Sequence, residues 1–271
     1  RYERAVASAV TIRPHGRVSQ VVGMIAEGDS LGLGIGSLCS IINDQGREIQ
    51  AEVVGFKGEK ALLMPYGDIR GISLGSRIVP VSSSPVVGVS DQLLGRVVDG
   101  MGEPIDGKGR IEYSHEYNLY AKPRGPMERE PIKEPLDVGV GAINSMITLG
   151  KGQRIGIMAG SGVGKSVLMG MMTKHTSADV IVIGLIGERG REVKDFINET
   201  LGEEGLKRAV VVAATSDSPP LVRIRGAYLA TTIAEYFRDQ GKDVLLMVDS
   251  ITRFAMSSRD VGLAAGEPPT S

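Results

Sequence analysis

The chain contains no tryptophan, and its seven tyrosines and four phenylalanines hold the aromatic fraction at 4%. Aromatic side chains are the platforms on which proteins stack the bases of single-stranded nucleic acids. The net charge is also close to zero, at −1 from 31 basic and 32 acidic residues. Because phosphate-backbone binding depends on clustered Lys and Arg, the sequence argues against nucleic acid as the main partner.

Cysteine, histidine and long apolar runs are equally scarce. Cys39 has no second cysteine to pair with inside the chain, which fits a reducing cytoplasm. His15, His115 and His175 do not have the spacing of metal ligands. No run approaches ~18 consecutive apolar residues, so we expect no membrane span. Residues 1–10 lack the apolar core and cleavage site of a signal peptide.

The first 84 residues have the pattern of a small β-domain. Segments rich in β-forming residues, at 17–26, 48–56, 61–64 and 77–81, alternate with turn sequences. Short strands at close spacing with tight turns are typical of an antiparallel barrel. We therefore predict an N-terminal β-barrel domain at 1–84. A connector at 85–135, rich in Pro and Gly, follows it and packs on the core.

From about residue 136 the pattern changes to alternating strands and helices. Apolar runs of strand length lie at 154–158, 180–186, 209–213 and 244–248, and helical patterns lie at 165–174, 192–201 and 226–240. Unbroken apolar runs are expected for parallel strands that are covered on both faces. The alternation predicts an α/β domain at 136–271 with a mainly parallel sheet.

A candidate phosphate-binding loop stands between the first of these strands and the first helix. It consists of Ala159, Gly160, Ser161, Gly162, Val163, Gly164, Lys165 and Ser166, with Val167 directly after it. It departs from the usual P-loop pattern in having Ala159 at the first glycine position. Glycines let the backbone wrap around an anion, and the helix N-terminus adds partial positive charge. The loop predicts a nucleotide site in which Lys165 reaches the β- and γ-phosphates and Ser166 ligates Mg²⁺.

Two carboxylates follow buried strands of the predicted sheet. Asp249 comes at the end of the run at 244–248, and Glu188 comes just after the run at 180–186. Side chains at the carboxyl ends of parallel strands face the crevice where ligands bind. Asp249 is then a candidate to hold Mg²⁺ through water, and Glu188 to polarise the attacking water. The alternatives are that Asp249 caps the next helix, and that Glu188 belongs to a solvated charge run with Arg189 and Glu192.

Five motifs of this chain resemble those of the flagellum-specific type III export ATPases. They are the loop at 159–166, Gly-Leu-Ile-Gly-Glu-Arg-Gly-Arg-Glu-Val at 184–193, Ile-Ala-Glu-Tyr-Phe-Arg-Asp-Gln-Gly at 233–241, Asp-Ser-Ile-Thr-Arg-Phe-Ala at 249–255 and Gly-Leu-Ala-Ala-Gly-Glu-Pro-Pro-Thr at 262–270. The injectisome ATPases have the same motifs, and the catalytic subunits of rotary ATP synthases are more distant relatives. The resemblance covers nearly the whole chain.

The resemblance implies a RecA-like core that works as a homohexameric ATPase with Mg²⁺ and ATP, at the cytoplasmic face of the inner-membrane export apparatus. It implies regulator and stalk proteins and chaperone–substrate complexes as partners, with peripheral association at the export gate. It further implies that Glu188 is the catalytic carboxylate, with Lys165 beside it, and that Arg189 lies on the γ-phosphate side. Non-catalytic subunits of the rotary relatives have Gln in place of this Glu, so Glu188 favours an active subunit.

Two features depart from the family pattern. Gly141 stands where relatives usually have Arg or Lys. Relatives also continue beyond the position of Ser271 into more of the core and a helical C-terminal domain, where the adenine-contacting aromatic and the arginine finger lie. We therefore expect a fragment that binds nucleotide weakly and hydrolyses it poorly.

Four other functions compete with flagellar export ATPase. An injectisome ATPase has the same motifs, and a rotary synthase catalytic subunit is related. An RNA-translocating hexameric motor also places a small barrel before a RecA-like core, but this sequence lacks its aromatic and basic surface. A nucleotide-binding regulator without turnover would have the same phosphate loop.

Overall fold

The computed structural model describes residues 14–160 and 162–269, which fall into two compact units. One unit contains the described residues up to Pro85 together with those from Arg259 on, and the other contains Val86–Ser258. The predicted fold class, a small β-barrel followed by an α/β core with a parallel sheet, is confirmed.

Six antiparallel strands close the barrel of the first unit in the order β1-β2-β5-β4-β3-β6. They are β1 (Gly16–Val22), β2 (Ile25–Asp29), β3 (Leu38–Ile42), β4 (Glu48–Lys57), β5 (Lys60–Pro65) and β6 (Arg77–Ser82). In β4, Ile49 and Ala51 are buried while Glu48 and Gln50 are exposed, so one face of the strand points into the barrel. The single strand predicted at 17–26 is wrong in detail, because the chain reverses at Gly23, where φ is +56°.

The second unit is built on a four-stranded parallel sheet with the order β14-β12-β13-β8. The strands are β8 (Val97–Asp99), β12 (Val180–Ile186), β13 (Ala209–Ala214) and β14 (Val244–Asp249). All residues of β12 and β13 are buried, as expected for strands with helices on both faces. The connector therefore does more than pack on the core, because it supplies β8 to the sheet.

Two small antiparallel pairs complete the strands of this unit. β7 (Val86–Val89) pairs with β9 (His115–Asn118), and β10 (Pro135–Leu136) pairs with β11 (Leu149–Gly150). Short 3₁₀ turns lie at Asp91–Leu93 and Pro126–Glu128.

In the part of the chain that the structure describes, six α-helices accompany these strands. They are α1 (Gly141–Met146), α2 (Lys165–His175), α3 (Gly190–Asp195), α4 (Gly202–Lys207), α5 (Pro220–Asp239) and α6 (Ile251–Ala264). A π-helical turn at Phe196–Leu201 joins α3 to α4, so the helix predicted at 192–201 does not end at Gly202. α5 begins six residues before the predicted start at 226, because Pro220 stands at its first turn, where a missing N–H costs nothing. Among the described residues, no helix is both long and apolar enough to cross a membrane.

The strand predicted at 154–158 does not form. These residues have no regular secondary structure, and Ile155, Ile157 and Met158 are 45%, 37% and 96% exposed. A strand needs a hydrogen-bonded neighbour, and among the described residues β14 pairs only with β12. The apolar pattern identified β-forming residues, but it carried no information on a pairing partner.

Candidate functional site

The two candidate carboxylates stand at the same edge of the parallel sheet. Asp249 is the last residue of β14, and its backbone lies in register with Leu185 of the neighbouring β12. Glu188 follows the end of β12 by two residues, after Gly187, whose φ is +76°. A Cβ atom on Gly187 would also lie 2.8 Å from Cβ of Arg253, so this turn requires glycine for both its conformation and its close packing.

The phosphate loop leads into α2 as its sequence predicts. Gly162 and Gly164 have φ of +77° and +93°, and Lys165 is the first residue of the helix. No atom lies within 4 Å of a Cβ built on Gly160, Gly162 or Gly164. Backbone conformation at 162 and 164, rather than crowding, therefore explains the glycines there. Ser161 lies outside the described residues, and Ala159, Val163 and Val167 are exposed around the loop.

Lys165 and Asp249 form a hydrogen-bonded ion pair between the ammonium group and one carboxylate oxygen. The Asp249 side chain is 6% exposed and the Lys165 side chain 31% exposed. A buried carboxylate is costly without a partner charge, and Lys165 supplies that charge from the start of α2. Lys165 and Asp249, which lie 84 positions apart in sequence, are thus brought together at the end of β14.

Glu188 differs from an ordinary surface glutamate in its proton affinity. Burial, a hydrogen bond with the Glu192 carboxyl group and the nearby negative charge of Asp249 raise the pKa of Glu188 to about 7, against the opposing charge of Lys165. The same hydrogen bond lowers the pKa of Glu192. Glu188 therefore has a pKa close to neutral pH, and a general base is most effective when its pKa lies near the working pH.

Ser166, Glu188 and Asp249 line one small cleft of about 90 Å³, together with Leu185, Glu192, Val193 and Phe196. The hydroxyl and carboxylate oxygens in this set are the kind of ligand that Mg²⁺ prefers. Within the described part of the chain, no group of three or more His, Cys, Asp or Glu side chains could hold a metal by itself. The cleft fits a magnesium ion whose remaining ligands are water and phosphate oxygens, as is usual for nucleotide-bound Mg²⁺.

Arg189 is placed differently from the other candidates. Its side chain is 81% exposed, and its guanidinium lies 3.5 Å from a carboxylate oxygen of Glu192. It does not line the cleft. The geometry brings Lys165, Ser166, Glu188 and Asp249 together and leaves Arg189 at the rim.

Glu192 is the residue of this site that the sequence did not single out. It stands one helical turn after Glu188, and a charge run with this spacing reads as a solvated helix start. Arg253, on α6, is a second residue of the site that the sequence did not single out, and its positive charge contributes to the lowered pKa of Glu192. Only the packing of α6 beside Gly187 reveals this neighbour.

Two family profiles match the chain. The nucleotide-binding domain of the ATP synthase alpha/beta family matches residues 139–271, and the β-barrel domain of the same family matches residues 18–81. Both matched ranges contain the corresponding parts of the structure described above.

The chain is also similar to curated proteins of bacterial secretion systems. It is 50% identical over 273 residues to the "Flagellum-specific ATP synthase" of Pseudomonas aeruginosa, a match of 100% of this chain and 60% of that protein. It is 52% identical over 259 residues to the protein of the same name from Bacillus subtilis, covering 95% of this chain and 59% of the relative. It is 48% identical over 269 residues to the "Type 3 secretion system ATPase" of Xanthomonas euvesicatoria, covering 99% and 61%. The chain thus spans about three fifths of the length of these relatives.

A solved structure supports the same relationship. The chain superposes with a TM-score of 0.86 and 44% identity on EscN, from a structure of the assembled ATPase with its central stalk EscO in the type III secretion system of enteropathogenic E. coli. The match covers 94% of this chain and 62% of EscN.

Proposed function

Because the chain belongs to the ATP synthase alpha/beta family, we propose that it is the barrel and nucleotide-binding part of an ATPase that energises protein export through a flagellar type III secretion apparatus. The observation that carries this proposal is the convergence of Lys165, Ser166, Glu188 and Asp249 on one sheet edge and cleft. A loop for phosphate, oxygen ligands for Mg²⁺ and a carboxyl group with a pKa of about 7 are the parts that ATP hydrolysis requires.

Each residue has a proposed role in that reaction. The backbone N–H groups of residues 159–164 and the N-terminal end of α2 bind the phosphates, and Lys165 moves from Asp249 to the β- and γ-phosphates. Ser166 would hold Mg²⁺, with Asp249 contributing through water, and the bound ion would neutralise charge on the phosphates. Val167 lies beside the nucleotide.

Glu188 accepts a proton from the attacking water, and its hydrogen-bonded neighbour Glu192 shares that proton. Since a base must be deprotonated to act, we expect hydrolysis to increase as the pH rises through the Glu188 pKa of about 7. Arg189, at the rim of the cleft, reaches the γ-phosphate side or a neighbouring subunit.

The whole-protein properties are part of the proposal as well. We propose a homohexamer that binds a stalk protein, an export regulator and chaperone–substrate complexes at the cytoplasmic face of the inner membrane. The likeness to EscN, which assembles and binds the stalk EscO, supports the self-assembly and the stalk partner. We keep the division into a barrel at 1–84, a connector at 85–135 and an ATPase core at 136–271.

An injectisome ATPase is the second candidate. It is supported by the 48% identity to the Xanthomonas euvesicatoria protein and by the likeness to EscN. The flagellar function is preferred because the relatives from Pseudomonas aeruginosa and Bacillus subtilis, at 50% and 52% identity, both have flagellar names.

Binding of a fluorescent ATP analogue in the presence and absence of Mg²⁺ tests the proposal. The 271-residue chain should bind in a Mg²⁺-dependent manner, and Lys165→Ala should weaken binding by about 10- to 100-fold, since a hydrogen bond to a charged group contributes ~1.5–3 kcal/mol. Lys174→Ala, near the other end of the same helix, is the matched control and should leave affinity unchanged. Equal loss in both variants, or no binding by the parent chain, would show that the nucleotide site is misplaced.

Turnover separates an ATPase from a nucleotide-binding regulator. In a version extended to the full length of its relatives, Glu188→Gln should still bind Mg-ATP while phosphate release falls by ~10²–10⁴-fold, the usual effect of removing a general base. If the rate changed by less than about threefold, Glu188 would not be the base.

A further inference from the structure

Arg208 makes an unusual set of contacts at the end of α2 that is opposite to the phosphate loop. Its guanidinium donates four hydrogen bonds to backbone carbonyls. The distances from the guanidinium nitrogens to the carbonyl oxygens are 3.0 Å for Thr176, 3.1 Å for Ala178, 2.9 Å for Thr173 and 3.0 Å for Lys174. The last carbonyls of a helix lack intrahelical partners and carry partial negative charge, so a cation there satisfies and stabilises them.

A second contact, from the segment that precedes α1, also holds the C-terminal end of α2. The carbonyl of Asp137 accepts hydrogen bonds from the Ser177 N–H at 2.8 Å and from the Thr176 hydroxyl at 3.0 Å. The C-terminal end of α2 is therefore held on two sides, whereas at its N-terminal end Gly160, Gly162 and Gly164 are exposed and Lys165 is paired with Asp249.

Arg208 also stands directly before β13, and the far end of β13 supports the turn that carries Glu188. The Gly187 N–H donates to the Ala214 carbonyl at 2.7 Å, and the Ser216 N–H donates to the Glu188 carbonyl at 2.9 Å. One buried strand thus connects the anchor of α2 to the turn of the proposed base.

We infer that Arg208 is a positioning residue, which holds α2 against the start of β13 and so sets the position of Lys165 relative to Glu188. This inference rests on the proposed nucleotide site. α2 has 11 residues and is therefore about 16 Å long. A tilt of about 5° around its anchored end moves the loop end by more than 1 Å, a displacement that can cost ~10²-fold in rate.

The test compares Arg208→Ala with Arg96→Ala in the full 271-residue chain. Arg96 is a matched control because its guanidinium also bonds within the second unit, to Asp106 at 2.7 and 3.0 Å and to the Gly109 carbonyl at 2.6 Å, but not to α2. Both variants lose several hydrogen bonds, most of them partly buried, so both should unfold at lower temperature.

We expect Arg208→Ala to raise the dissociation constant for Mg-ATP by about tenfold and Arg96→Ala by less than twofold, at a temperature where both are folded. Arg208→Lys, which retains a cation at the helix end, should recover part of the affinity, and it carries the test if Arg208→Ala does not fold. Hydrogen exchange should accelerate in the first turn of α2 as well as the last in Arg208→Ala.

Equal effects of Arg208→Ala and Arg96→Ala on affinity would overturn the inference and leave the proposed function intact. Unchanged exchange in the first turn of α2 would overturn it too. If the parent chain does not bind Mg-ATP at all, the proposed function fails, and the role of Arg208 fails with it.

Discussion

Replacing Glu188 by Gln should change how the stability of this chain depends on pH. The pKa of Glu188 is about 7 in the folded chain, against an ordinary value of 4.5. Between these two values the folded state binds more protons than the unfolded state. The free energy of unfolding therefore decreases as the pH rises through this window, and it is level above the folded pKa. A Gln side chain cannot ionise, so the variant should lack this decrease.

The size of the effect follows from the two pKa values. The full difference corresponds to about 3 kcal/mol. Because the Glu188 carboxyl is partly solvent-exposed, screening reduces the expected effect to about 1–2 kcal/mol. Glu192 acts in the opposite sense at lower pH, since its pKa is lowered from 4.5 and its contribution is lost as the pH falls below that value. Measurements above about pH 5 therefore isolate Glu188.

Urea unfolding followed by far-ultraviolet circular dichroism is the appropriate assay, because the chain has no tryptophan. Between about pH 5 and pH 8, the free energy of unfolding of the parent should fall by about 1–2 kcal/mol more than that of Glu188→Gln. Glu199→Gln, at an exposed glutamate of the π-helical turn at Phe196–Leu201, is the control and should follow the parent curve. Parallel curves for Glu188→Gln and the parent over this range would refute the pKa and the enclosure of Glu188 by Asp249 and Glu192.

Three further substitutions test other parts of the structure. Asp249→Asn should raise the Mg²⁺ concentration needed for half-maximal binding of the ATP analogue by about tenfold, because it removes a negative charge that faces the metal. A titration of Mg²⁺ at a fixed concentration of analogue measures this. Gly100→Ala should destabilise the chain by about 1–3 kcal/mol, because its Cβ would lie 2.6 Å from the Val222 carbonyl oxygen. Gly141→Ala, where the new Cβ meets no atom within 4 Å, should be neutral or slightly stabilising. Thermal unfolding measures the effect of both glycine substitutions.

The sequence predicted the parallel core because its signals there are local. The fully apolar runs that became β12 and β13, and the glycines that precede α2, are patterns that can be recognised without knowing which distant residues they contact. The strand predicted at 154–158 failed for the opposite reason, because pairing depends on a neighbour that no local pattern describes.

The candidate site divides in the same way. Lys165 and Ser166 follow from the loop pattern, and Glu188 and Asp249 follow from their places after strands. The ion pair between Lys165 and Asp249 arises only when separate elements pack together, and the raised pKa of Glu188 depends on burial and on the charge of Asp249 as well as on its neighbour Glu192. Arg208, which lies among ordinary charged residues, gives no signal in the sequence at all.

β8 makes the connector a structural part of the second unit, because it adds a strand to the parallel sheet. Its three residues, Val97–Asp99, complete the outer side of β13, the strand that also carries the turn of Glu188 through Ala214. A shortened chain that begins at the core boundary near residue 136 would present β13 with an open row of amide and carbonyl groups. The segment between barrel and core therefore cannot be treated as a spacer, and grafting this nucleotide site onto another protein would require residues from 86 onward.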